Sequence, residues 1–403
     1  MIKRFKLSLI FSILIYFAAS AQNESIKPTV LSGSRNDLNA AAMSPAKFKR
    51  MAVAGWDNEV LIYNTDSPFT LVQKLIGHQA PVNCLSYNYA GNMLASGSSD
   101  QTVRLYDSMY RFVPLIEEGT NRHYSAVQSL IFDKSGKFLL TGDKDGKLLL
   151  WDVPTRKTVK SYQTNTSIND LCLSPTPANI LIANAEPSIK IFGLASGKVI
   201  RTLDGHKDAV NCLALAYNNK YLISGSNDKT AIIWDLKTMK PLYILQPSCW
   251  KITSVGFSDD SKYCVTGCND GVVNVWETET GKLISTWSSE DIGVKELCLF
   301  RNSQYILISP KLKGTQEFGA RVIPSGIPNL TKVLESNKNA APKTPMQLQL
   351  DSIIAMRTLT KQDSLKYKTL LTPPKPKTGS KNPNQLDSAI IYKTPMKKGD
   401  IKK

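Results

Sequence analysis

Between Gly205 and Asp235 the chain reads GHKDAVNCLALAYNNKYLISGSNDKTAIIWD, with two apolar runs of period-two character and a third that closes on Trp234-Asp235. A polar turn at Asn218-Asn219-Lys220 and a tight turn at Asn227-Asp228 separate them. Such a pattern predicts three short antiparallel strands. The constraint is that this unit recurs. An acidic residue followed six positions later by an aromatic appears as Asp57/Tyr63, Asp100/Tyr106, Asp145/Trp151, Glu186/Phe192, Asp228/Trp234 and Asp270/Trp276, in steps of 43, 45, 41, 42 and 42 residues. One small sheet per repeat cannot bury its own faces, so the units must stack on one another. A seventh unit without the acidic/aromatic pair follows in KELCLF, QYILIS and GARVI, between Lys295 and Ile323.

Units stamped Gly205-His206 at one end and Trp234-Asp235 at the other resemble the repeats of the WD40 β-propeller family. The resemblance spans residues 28–326 and implies an all-β, seven-bladed WD40-type β-propeller. KPTVLSG (27–33) is in register with KLIG before His78 and TLDG before His206, segments that are outer strands in the family. The N-terminal strand is therefore expected to complete the seventh blade, closing the ring and removing the unpaired edges of an open sheet.

The protein has three histidines, and their spacing governs how much chemistry is open to it. His78, His123 and His206 each stand 18 residues before a hydroxyl (Ser96, Thr141, Ser224), 22 before an Asp (Asp100, Asp145, Asp228) and 28 before an aromatic (Tyr106, Trp151, Trp234). One Ser/His/Asp set would admit a nucleophile, base and orienting acid. Three copies at one spacing resemble instead the structural hydrogen-bond network of WD40 blades. No catalytic residue is assigned, and no histidine is left for a metal site. Counting by the same spacing puts Ser248 at the histidine position of blade six, Ile182 at the hydroxyl position of blade four and Val53 at that of blade one.

Cys84, Cys172, Cys212 and Cys298 fall on the first strands of four different blades, too far apart to bridge given the roughly 7 Å limit on Cα separation. They read as small buried hydrophobes. Cys249, Cys264 and Cys268 lie close together in blade six, where one bridge is open. Asp143-Lys144-Asp145-Gly146 shares residue types with a calcium loop, but its Gly comes two positions early and no Glu stands at the twelfth place. With no P-loop and no dinucleotide fingerprint either, no cofactor and no metal are expected.

The two ends differ from the middle. Lys3, Arg4 and Lys6 precede an apolar run from Leu7 to Ala19 and then Ala19-Ser20-Ala21, the pattern of a secretory signal peptide over 1–21. It places the mature N-terminus at Gln22, ahead of a short linker over 22–27. The protein is then expected to be exported, periplasmic or envelope-associated. Residues 327–403 hold 15 Lys/Arg against 5 Asp/Glu with eight prolines, a net +10 of the chain's +17. That composition predicts a disordered basic C-terminal tail. Lys343-Thr344-Pro345-Met346 recurs as Lys393-Thr394-Pro395-Met396, the mark of a duplicated linear motif.

In the family, residues just after the Gly-His position and just before the turn Asp point to the rim used for docking. By alignment these include Trp56, Tyr124, Lys144 and Lys207, together with Asp208, Trp250 and Lys251. The expected function is a non-enzymatic protein-protein interaction scaffold whose partners are other proteins, with anionic lipid or glycan as a contact of the tail and no nucleic acid. Two alternatives stand beside it: a small-ligand binder or enzyme using the central funnel, and a cytosolic scaffold should the N-terminus not be a signal peptide.

Overall fold

A computed structural model describes residues 28–327 except 67, 117–120, 290–291, 301–302 and 313–318. The signal-peptide and linker assignments (1–27) and the tail from 328 onward lie outside the described residues. Seven four-stranded antiparallel sheets follow one another along the chain. Blades one to six are each built of four consecutive strands, and their innermost strands are Leu38–Met43, Val82–Tyr87, Val127–Phe132, Ile168–Leu173, Val210–Leu215 and Ile252–Phe257. Blade seven takes three strands from the C-terminal side, Ile292–Phe300, Tyr305–Leu312 and Ala320–Pro324, and its fourth is the N-terminal strand Thr29–Leu31. That strand pairs antiparallel with Ala320–Pro324, Val30 opposite Arg321, so the first and last segments of the propeller share one sheet. Among the described residues the sole helix is a 3-10 turn, Ala46–Phe48. None is long and apolar enough to cross a membrane.

The hydrophobic core lies between blades. Leu181, Ile189 and Leu203 of blade four meet Val210, Leu222 and Trp234 of blade five. Leu307 and Val322 of blade seven meet Leu38, Met51 and Tyr63 of blade one, with Leu31 of the closing strand among them. A middle strand has a neighbouring sheet on both faces, so it reads as a continuous apolar run, as in Tyr221–Ser226 and Ala231–Asp235. Outer strands such as Lys198–Asp204 face solvent along most of their length. Ile327 is also buried, packed in the blade six–seven cluster.

Two local devices set how closely the blades approach. The first is the glycine of the recurring Ser/Thr-Gly step: a Cβ on Gly225 would overlap Ile252 of the next blade, and Gly97, Gly142 and Gly267 stand in the same relation to Val127, Ile168 and Val294. The second is a β-bulge at the start of every innermost strand, at Leu38/Ala40, Val82/Cys84, Val127/Ser129, Ile168/Asp170, Val210/Cys212, Ile252/Ser254 and Val294/Glu296. A bulge frees one residue from the ladder and re-aims its side chain. In five blades that residue reaches the next blade: Asn39, Asn83, Asn169 and Asn211 donate Nδ2 to the backbone O of Val82, Val127, Val210 and Ile252, and Thr253 donates Oγ1 to Val294.

The glycine device makes a direct expectation. Gly225→Ala forces blade five away from Ile252 and should cost about 1–3 kcal/mol, the range of core overpacking. Gly256→Ala, whose Cβ would meet only Val265 and Leu297 at ordinary contact distances of 3.5 and 3.6 Å, should change stability by under about 0.5 kcal/mol. Urea midpoints of the two variants check this; equal losses would show that blade spacing does not depend on the glycine.

Candidate docking rim and its supporting networks

Innermost strands begin, and second strands end, at the same edge of every blade, so the loops there form one rim. Under that rim sit the histidines. In blade five Trp234 Nε1–H donates to Ser224 Oγ at 2.8 Å, and Ser224 Oγ lies 2.7 Å from His206 Nε2. A carboxylate can only accept, so the Nδ1 that faces Asp228 carries the ring's proton and the unprotonated Nε2 accepts from the Ser224 hydroxyl. Nδ1–H then donates to Asp228 Oδ2 at 2.9 Å, an oxygen that also accepts the Lys207 N–H. Burial pushes the Asp228 carboxyl up, but Thr230, Lys207 and His206 outweigh it and hold it below the usual carboxylate range. Burial lowers the His206 imidazole against the pull of Asp228. Both directions agree on one state, a carboxylate beside a neutral imidazole.

Blade two repeats the arrangement with His78, Ser96 and Asp100 at 2.8 Å. Its aromatic is Tyr106, whose hydroxyl is buried beside Ser96 but meets no partner at hydrogen-bond geometry among the described residues. Blade three departs in a different place. His123 Nε2 meets Thr141 Oγ1 at 2.7 Å and Trp151 Nε1 donates to the same oxygen, but Nδ1 bonds Asp143, not Asp145 as its spacing predicted. Asp143 fills the position that Ser226 holds in blade five. One carboxylate there serves both jobs, since its Oδ1 also accepts the Asp145 and Lys147 N–H groups. Asp145 is left exposed in the turn. In blade one Ser34 stands in for histidine and donates to Asp57.

Blade six requires a second correction. The Trp250 N–H donates to Asp270 Oδ2 at 3.2 Å as Lys207 does to Asp228, so Cys249, not Ser248, occupies the histidine position. The loop that follows is one residue shorter than those after Ser34, His78, His123 and His206. Cys249 is bridged to Cys268. Cys84, Cys172, Cys212 and Cys298 are all unbridged on innermost strands.

The rim residues singled out by sequence stand on this base. Trp250 is 74% exposed and Trp56 58%. Lys144, Lys207, Asp208 and Lys251 are exposed as well. Tyr124, half exposed, has the Arg122 guanidinium 4.9 Å and the Lys147 amine 4.7 Å from its ring centre. The Trp56 ring is mostly exposed, while its backbone N–H is fixed to Asp37 O.

Around the channel, a second ring of polar side chains escaped the sequence reading. Ser129 Oγ donates to Asp170 Oδ1 and accepts the Leu171 N–H; Asp170 Oδ2 accepts the Leu213 N–H, so three blades share one carboxylate. Ser254 Oγ donates to Glu296 Oε1 at 2.6 Å and accepts the Leu297 N–H. Both acids keep some exposed surface, yet the protein around them is dense enough that burial raises Asp170 to about 6 and Glu296 to about 8. The signal for the Asn ring was present: Asn83 and Asn211 each follow the histidine of their blade by five residues.

Residues 69–107, 118–152, 197–235 and 239–277 match the family model for the WD domain, G-beta repeat. The chain is a WD40-repeat β-propeller protein. Striatin-3 of Homo sapiens is 29% identical over 183 residues, covering 43% of this chain and 23% of striatin-3. Periodic tryptophan protein 2 of Arabidopsis thaliana is 28% identical over 200 residues, 48% of this chain and 21% of that protein. Nuclear distribution protein nudF of Aspergillus niger is 26% identical over 208 residues, 46% of each. The chain spans less than half the length of these curated relatives.

Two tests separate the roles assigned above. Asp143→Asn in blade three should cost about 1–3 kcal/mol, the penalty for disturbing a buried hydrogen-bonded acceptor, while Asp145→Asn should stay within about 0.5 kcal/mol. Chemical denaturation gives the order; the reverse order would restore the original assignment. For Glu296 the folded-state pKa lies above the unfolded value, so its contribution is present below the unfolded pKa and is lost as pH rises through about 8. The urea midpoint should therefore fall as pH rises from about 6, where Asp170 has already titrated, to about 8 and level off above that, and Glu296→Gln should remove that fall. An unchanged pH profile in the variant would place the titrating group elsewhere.

Proposed function

We propose that this protein is an exported, non-enzymatic scaffold that docks other proteins on the loop rim of its propeller. The observation that carries the reading is the pairing of an exposed indole with a fixed backbone. Trp250 presents 74% of its surface while its N–H is tied to Asp270 and the preceding residue is disulfide-bonded. Large aromatics on a prepared backbone, with cations alongside, are the residues that dominate protein interfaces. Trp56, Tyr124, Lys144, Lys207, Asp208 and Lys251 extend the same rim.

Catalysis has little to work with in the histidines, since each imidazole is engaged at both nitrogens in a blade-pinning network. The channel acids serve as acceptors between blades. Export is supported by the basic-apolar-AxA start of the chain and by the Cys249–Cys268 bridge, which persists in an oxidising compartment. A periplasmic or envelope site follows from that reading. The duplicated Lys-Thr-Pro-Met words beyond residue 327 are a second contact for proteins, and their basic surroundings for anionic lipid or glycan.

Crosslinked affinity purification of the full chain from its host envelope, beside a Trp56→Ala/Trp250→Ala form and a form ending at Ile327, tests the proposal. The double variant should lose its recovered proteins by at least about 30-fold, the scale of a hot-spot truncation of about 2 kcal/mol. Loss only on removing 328–403 would transfer recognition to the tail. Recovery of no protein by the full chain would end the scaffold reading.

A further inference from the structure

Blade six joins its rim loop to its second strand by a different chemistry from its neighbours. In blades two and five the residue before the loop N–H donor is His78 or His206; in blade six it is Cys249. On the second strand, Ser98 and Ser226 hold the same loop by donating to Ala80 O and Asp208 O, at 2.9 and 3.0 Å. Cys268 occupies their position, two residues after Thr266, and its Cα lies 6.2 Å from that of Cys249. The remaining members of the set, Thr266 and Trp276, keep their 3.0 Å bond. A covalent bond thus stands where the other blades have an imidazole and a serine.

We propose that Cys249–Cys268 is a thiol–disulfide exchange site whose oxidation state sets the order of the Trp250–Lys251 corner. In reduction, a thiolate of a dithiol reductant attacks Cys249 Sγ, the S–S bond breaks, and Cys268 leaves as a thiolate that takes up a proton. The reductant's second thiol then displaces Cys249 and leaves the reductant as a disulfide. Oxidation runs in reverse, the two thiols giving two protons and two electrons to a disulfide oxidant. Cys249 keeps 9% exposure and Cys268 none, so Cys249 is the sulfur that an exchange partner meets. Cys264, fully buried nearby, does not compete, because burial pushes its thiol far above the ordinary range.

The consequence follows from the shortened loop. From Cys249 the chain has only Trp250 before Lys251, whose carbonyl accepts the Asn269 N–H; from His206 it has two residues before the matching Ala209. Among the described residues the bridge joins two hydrogen bonds in restraining that corner, Trp250 N–H to the Asp270 carboxylate and Asn269 N–H to Lys251 O. Its bearing on partners rests on the proposed docking role of Trp250.

The experiment uses the full chain purified without reductant. Peptide mass mapping should find Cys249 linked to Cys268 with five alkylated thiols. Hydrogen exchange over 246–252 should then rise about 100-fold on reduction, the scale of loop closure for a ring of this size, while the loops at His78 and His206 stay unchanged. Cys268→Ser should reproduce the reduced pattern and no longer respond to reductant. Seven alkylated thiols, or exchange indifferent to reduction, would overturn the proposal. Because exchange is read without a partner, the two readings fail separately. A reductant-sensitive corner with full capture by Trp250→Ala removes the docking role alone; an insensitive corner with lost capture removes the exchange site alone.

Discussion

The bond from the bulge of one innermost strand to the backbone of the next blade is the constraint that the rest of the ring inherits. Apart from such polar links, among them Ser129–Asp170 and Ser254–Glu296, a blade interface is apolar and non-directional, and hydrophobic burial alone would let sheets slide over one another. An amide from Asn83 to Val127 O, or from Asn211 to Ile252 O, sets the height of one blade against the next. The glycine beside the bulge sets their separation. Once both are defined, the rim loops of different blades are held at one level and can present a single surface.

Each rim loop must also be tied to its own blade, and the protein does so in several ways. Blades two and five use an imidazole between a hydroxyl and a carboxylate. In blade three the carboxylate has moved two residues, so Asp143 replaces both the Asp and the Ser of the others. Blade one uses the shorter reach of Ser34 to Asp57, and blade six a disulfide. What is common is the geometry, a link from the residue before the loop to the end of the second strand. Different chemistry can supply it because the link has only to be satisfied and buried.

This explains what could be read without coordinates. The period and the alternation within each repeat determine the blades, and the N-terminal strand's place in blade seven follows from its register with KLIG and TLDG. Fixed offsets led to the correct hydroxyl and aromatic for His123 but to the wrong acid, because Asp143 and Asp145 are both chemically suitable and spacing cannot see which carboxylate faces the ring. The same counting chose Ser248 over Cys249, since a one-residue deletion in a loop shifts every offset behind it. The Asn ring was visible as a recurrence but carried no meaning until the bulges showed where those side chains point. Asp170 and Glu296 hold the same place after the bulge in blades four and seven, 41 and 42 residues behind Ser129 and Ser254, but the other blades carry no acid there, so the recurrence is too sparse to stand out in the sequence.

The rim gains its character from the contrast between what is held and what is left out. Cross-blade bonds, pinned loops and a filled interface remove freedom from the backbone beneath Trp56, Tyr124 and Trp250, while the rings themselves remain in water. An exposed indole on a mobile loop would lose ordering entropy on contact; on a loop already fixed it loses only its own rotamers. Arg122 and Lys147 extend this to Tyr124 by holding the ring between two cations. The structural networks and the exposed aromatics of the rim are therefore one system. The burial that keeps His206 neutral and Asp228 charged in one blade, and the sulfur bridge in another, are what allow aromatic side chains above them to stand exposed without collapsing into the core.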